Sequence, residues 1–117
     1  MRKLRQRLAD IVSYGSSVVT LLEGQSFEAF DQDADLHDLV YFRFLCISEA
    51  VRNVLLLCPE LAERYPVIAW TAIRALGNVL RHEYGDIDAT IIWQTVEGGD
   101  LTALISAAQQ ELMRLDA

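Results

Sequence analysis

The stretch DLHDLVYFRFLCISEAVRNVLLLC, from Asp35 to Cys58, decides the fold. Leu36, Val40, Phe44, Ile47, Val51, Val54 and Cys58 recur at spacings of four and three. That is one face of an α-helix, not the alternation of a strand. Pro59 blocks continuation, because it lacks an N–H and its ring clashes with the preceding turn. At about 1.5 Å per residue the helix is roughly 36 Å long, enough to span a small domain. So long an apolar stripe needs neighbouring elements to cover it.

Those neighbours read as helices too. Upstream, Leu4, Leu8, Ile11, Gly15, Val18 and Leu22 form a single stripe, with Gly15 permitting a close neighbour and Gly24 as a C-terminal stop. A short SFEAF turn follows, with Ser26 placed to cap it. Downstream, PELAERY predicts a brief helical turn before Pro66, and a third long helix covers about Val67 to Tyr84, stopped by Gly85. DIDATIIWQTVEGG predicts a short helix capped by Asp86 or Asp88. The last helix begins at Asp100 and carries Leu101, Leu104, Ala108, Leu112 and Leu115. Short connections between long amphipathic helices imply an all-α, up-and-down bundle of four to five main helices with short connecting helices. Residues 1–117 are expected to form one domain.

Composition agrees with this and narrows the function. Apolar residues make up 52% of the 117 and charged residues 23%, which excludes a disordered chain. No stretch approaches the roughly 20 apolar residues of a membrane span. The basic N-terminus, MRKLRQRLADIV, lacks the apolar core and cleavage site of a signal peptide, so a cytoplasmic location and no membrane contact are expected. Cys46 and Cys58 would lie about 18 Å apart along one helix, too far for a disulfide, and read as buried free thiols. The net charge of −7 disfavours non-specific coating of nucleic acid, which needs clustered Lys and Arg. The basic residues are uneven, however, and a local basic site remains open.

Several chemistries lack their residues. There is no glycine-rich phosphate loop, no CxxC pair and no HExxH, and the two histidines, His37 and His82, are far apart in sequence. No metal or cofactor is expected. His37, among acids near a helix start, reads as solvated. Glu49 and Arg52, three apart, read as an ion pair at the core edge, with Arg43 and Asn53 nearby.

The stretch RALGNVLRHEYGDID, Arg74 to Asp88, is different. Arg74, Asn78 and His82 fall at four-residue intervals on one side of a helix, with Tyr84 next to its end. Histidine exchanges protons near neutrality, and an arginine fork matches phosphate and stabilises charge developing on it. Metal-independent phosphodiester chemistry is one reading. The other is that Arg74 and Arg81 extend to solvent while His82 favours the helix C-terminus through the dipole.

NVLRHEYGDID with the following IIW resembles the HepT-like family of the HEPN superfamily. The Ser48–Ala50 stretch SEA, YPVIAW before the motif helix and GDIDATIIWQTVEGGDLTAL after it are similar to family features in family order. The resemblance implies an all-α homodimer with the motif helices of two subunits at a shared cleft. It implies a toxin that cleaves RNA without a metal. Its antitoxin would be a minimal nucleotidyltransferase that silences the toxin by adding AMP to the tyrosine of the His-x-Tyr element. Carried over, His82 is the catalytic histidine, Tyr84 the AMP acceptor and Asn78 the polar position after the arginine. The family places its arginine directly before that asparagine, and here the residue is Gly77. Arg74, on the face of His82, is the expected stand-in. Arg81, expected to point elsewhere, is the second, reaching across a dimer cleft. A chain with neither substitute would be a catalytically inactive binding subunit that partners the nucleotidyltransferase.

Overall fold

A computed structural model describes residues 2–117. Seven helices, and among the described residues no strand, make up the fold: α1 (Arg2–Leu22), α2 (Phe27–Gln32), α3 (Ala34–Leu57), α4 (Glu60–Arg64), α5 (Trp70–Glu83), α6 (Ala89–Glu97) and α7 (Asp100–Asp116). The all-α bundle expected from periodicity is the one observed. α3 lies between α1 and α5, α7 also packs against α1, and α6 rests on α7 and α2.

The stripe of α1 is buried at every expected position. On α3 the stripe is buried from Leu36 to Val54, joined by Tyr41, Ser48 and Ala50. Each large side chain so removed from water contributes about 1.5–3 kcal/mol. Side-chain oxygens supply three helix starts: Ser26 accepts from the Ala29 N–H at 3.1 Å, Asp33 from Leu36 at 3.0 Å and Asp88 from Thr90 at 2.9 Å. Gly15 lets α1 and α7 touch, since a Cβ there would stand 2.7 Å from Ile105 Cγ1.

Four local expectations are corrected. α5 starts at Trp70 instead of Val67, because the segment after Pro66 turns first, with the Trp70 indole N–H donating to the Tyr65 carbonyl at 3.0 Å. α5 ends at Glu83, and Gly85 is not in the left-handed region, so it does not act as a left-handed stop. Cys46 and Cys58 are free but half-buried, Cys58 because it has left the helix as the C-cap of α3. His37 is not a solvated histidine. Its ring stacks on Tyr41 with centroids 5.1 Å apart and meets the edge of Phe30, and Nε2 lies 2.6 Å from the Phe30 carbonyl.

Two polar residues are buried among those described, Ser48 and Glu111, and only the second carries a charge. Glu111 on α7 is 2% exposed. It accepts from Arg64 at 3.1 and 3.3 Å and from the Tyr65 hydroxyl at 2.9 Å, tying the α4 region to α7. Replacing Glu111 by Ala leaves Tyr65 and Arg64 without their acceptor and should cost about 1–3 kcal/mol in urea unfolding. Arg114→Ala, removing an exposed partner at 3.7 Å, should stay within about 0.5 kcal/mol.

Candidate active site

The site is set by how closely α3 and α5 approach. Ser48 is buried on α3 and its hydroxyl donates to the Arg74 carbonyl at 2.7 Å. Opposite it, Gly77 has no side chain. A Cβ there would stand 2.8 Å from Ser48 Cβ and closer still to Ser48 Oγ. The glycine that costs about 1 kcal/mol relative to Ala in a helix interior is thus required by the crossing.

Beside this contact a polar pocket of about 290 Å³ opens between the two helices, lined by Ser48, Glu49, Arg52, Arg74, Asn78 and Arg81. Glu49 is its hub. Arg81 Nη2 donates to Glu49 Oε2 at 3.3 Å, and Arg52 Nη1 to Oε1 at 3.4 Å. Asn53 Nδ2 donates to Oε1 at 3.3 Å and to the Glu49 carbonyl at 2.8 Å. Arg81 Nη1 also donates to Asn78 Oδ1 at 3.1 Å. Three guanidiniums face one carboxylate, so the pocket is locally cationic on a chain of net charge −7. A multiply hydrogen-bonding anion matches such a donor set.

Of the expected site residues, Arg74, Asn78 and Arg81 meet in this pocket, and His82 and Tyr84 do not line it. The helical wheel explains the arrangement. At about 100° per residue Arg81 lies only about 20° from Arg74, whereas His82 lies about 80° away, on the solvent side. Arg81 therefore points into the pocket of its own chain, contrary to the expectation that it points elsewhere. His82 is exposed, one residue beyond it. Glu49 and Arg52 belong to the site and not merely to the core edge. Their three-residue spacing was the available signal, but their facing of α5 was not visible in it.

Tyr84 is folded back onto α3. Its hydroxyl donates to Asp38 on α3 at 2.9 Å, and its ring meets the buried Tyr41 edge-on at 5.6 Å. It stays 40% exposed. Partial burial, then the hydrogen bond to the Asp38 carboxylate, raises the phenol above its ordinary ionisation range. Burial also pushes Tyr41 up to about 12.

The model of the family described as Ribonuclease HepT-like matches residues 4–111. The chain belongs to the HepT-like ribonuclease family. It is similar to the protein named "Putative RNase TTE0752" of Caldanaerobacter subterraneus subsp. tengcongensis, at 30% identity over 82% of this chain and 83% of the relative. It is also similar to "Putative RNase MJ0125" of Methanocaldococcus jannaschii, at 24% identity over 82% of this chain and 80% of that one. No solved structure matches it significantly.

Two outcomes test this geometry. Gly77→Ala should destabilise the fold by about 1–3 kcal/mol through overpacking, and Ser48→Gly in the same chain should recover most of that loss. In alkali, Tyr41 contributes its full stability below pH 10 and loses it as pH rises from 10 through about 12, because the unfolded chain releases that proton first. Denaturation measured across that window should show a shallower decline for Tyr41→Phe.

Proposed function

We propose that this protein is the toxin subunit of a toxin–antitoxin pair and a metal-independent RNA endonuclease, silenced by AMP addition to Tyr84. The observation that carries the reading is the end of α5 in a HepT-like chain. His82 stands exposed beside a pocket where Arg74, Asn78 and Arg81 converge. A phosphodiester needs both parts: donors for the charge that develops on its oxygens, and a group that exchanges protons near neutrality.

In this reaction His82 takes the proton from a ribose 2′-hydroxyl as that oxygen attacks the adjacent phosphorus. The bond to the 5′-oxygen breaks, leaving a 2′,3′-cyclic phosphate. The 5′-oxygen takes its proton from the imidazolium, of this chain or of a second copy across the cleft of a homodimer. The arginine-rich pocket binds the phosphate oxygens, and no step requires a metal. Residues 1–117 act as one domain.

Tyr84 is the AMP acceptor for a minimal nucleotidyltransferase antitoxin. Its phenol oxygen attacks the α-phosphorus of ATP, pyrophosphate leaves, and the proton passes to Asp38, which already accepts its hydrogen bond. The added phosphate brings negative charge and bulk to the end of the helix that carries His82.

A single-stranded RNA oligonucleotide incubated with EDTA should be cut by the purified chain and about 10²–10⁴-fold more slowly by His82→Ala. Co-expression with the nucleotidyltransferase should add whole AMP units to the intact mass, and Tyr84→Phe should abolish them. A wild-type chain that leaves RNA intact but gains AMP would instead be a catalytically inactive binding subunit.

A further inference from the structure

The opening at Gly77 is filled from two sides. Ser48 closes it from α3. From the helix itself comes Arg81, whose Nη1 lies 3.5 Å from where a residue-77 Cβ would stand. Helical side chains lean toward the N-terminus, over the preceding turn, so a long side chain at 81 passes over position 77. A guanidinium thus arrives at this opening although the chain carries it four residues later.

Its head group is fixed. Asn78 takes one N–H and Glu49 another, and Glu49 is itself held by Asn53 and Arg52. Arginine has about five N–H donors, so most remain for an anion entering the pocket. Arg74 differs. Its carbonyl is engaged by Ser48, but its guanidinium makes no hydrogen bond among the described residues. A donor already held in place stabilises developing charge better than one that must first be ordered.

We propose that Arg81 is the arginine that contacts the scissile phosphate, delivered over the gap at Gly77, and that Glu49 is the positioning residue that holds it there. The inference rests on the ribonuclease reading and deepens it. Ser48 and Gly77 form a size-matched pair: the serine occupies the space that a side chain at 77 would need. Restoring an arginine at 77 therefore requires a smaller residue at 48. Glu49 carries a charge opposite to the pocket's and like the substrate's, so it orients Arg81 at some cost to phosphate affinity.

Single-turnover cleavage of a fluorescein-labelled RNA, with binding to its 2′-deoxy counterpart by anisotropy, tests both roles in the full chain. Arg81→Ala should slow cleavage on the order of 10²–10³-fold. Arg74→Ala should slow it by about tenfold or less, since a donor without fixed partners is worth less than a preorganised one. Glu49→Gln should slow cleavage while leaving binding equal or tighter, a split that mere unfolding does not give. The triple variant S48G/G77R/R81V should cleave faster than Arg81→Ala. Thermal unfolding of each variant separates misfolding from chemistry. Wild-type cleavage by Arg81→Ala, or the larger loss in Arg74→Ala, would overturn the assignment. Slowed cleavage by Glu49→Gln with proportionally weaker binding would overturn the positioning role. If the wild-type chain cuts no RNA, the ribonuclease reading fails separately. Arg81 is then judged by anisotropy, where binding equal to wild type in Arg81→Ala removes it from the phosphate contact.

Discussion

The packing of Ser48 against Gly77 is the constraint on which the rest of the structure depends. It sets the distance between α3 and α5, and everything polar in the pocket is arranged around that distance. A methyl group at 77 would stand 2.8 Å from Ser48 Cβ, so either the helices or Ser48 would have to give way. The same contact excludes a long side chain from 77. One steric fact therefore accounts both for the position of the pocket and for the room that the Arg81 side chain finds over residue 77.

The electrostatics follow from that geometry. An acidic protein gathers three arginines at one place and balances them with a single carboxylate. Such exposed ion pairs add little to stability, typically about 0–1 kcal/mol each, so their clustering is not explained by folding energy. Their effect is orientation. The carboxylate and two amide side chains determine where the Arg52 and Arg81 guanidiniums point before any anion arrives.

How much of this could be read from the sequence depended on whether the information was local. The stripes of α1 and α3 repeat many times within a few turns, so their burial was legible residue by residue except at Cys58, which leaves the helix as the C-cap of α3. So was the cap at Ser26, and that of α6 to within Asp86 or Asp88, where a side chain bonds to a backbone N–H within three residues. What was missed came from partners distant in the chain. Glu111 looks like one more surface acid until Arg64 and Tyr65 arrive from 47 and 46 residues away. Tyr84 gives no sign of Asp38, 46 residues earlier. His37 looked solvated because its nearest neighbours in sequence are acids, while Phe30 contacts it across a helix break. The direction of Arg81 is a different case. Its seven-residue interval from Arg74, about two helical turns, was present in the sequence alongside the four-residue ladder that leads to His82.

The buried carboxylate at the far end of the molecule has a consequence for the pocket. Glu111 holds Tyr65, and the Tyr65 carbonyl holds the Trp70 indole, so the first residue of α5 is moored to α7. The opposite end is fastened to α3 by surface contacts, Arg81 on Glu49 and the Tyr84 phenol on Asp38. α5 is thus moored inside the protein where it begins and at the solvent boundary where it ends. Anything that takes the Tyr84 hydroxyl away from Asp38 removes one of those outer moorings, three residues from Arg81.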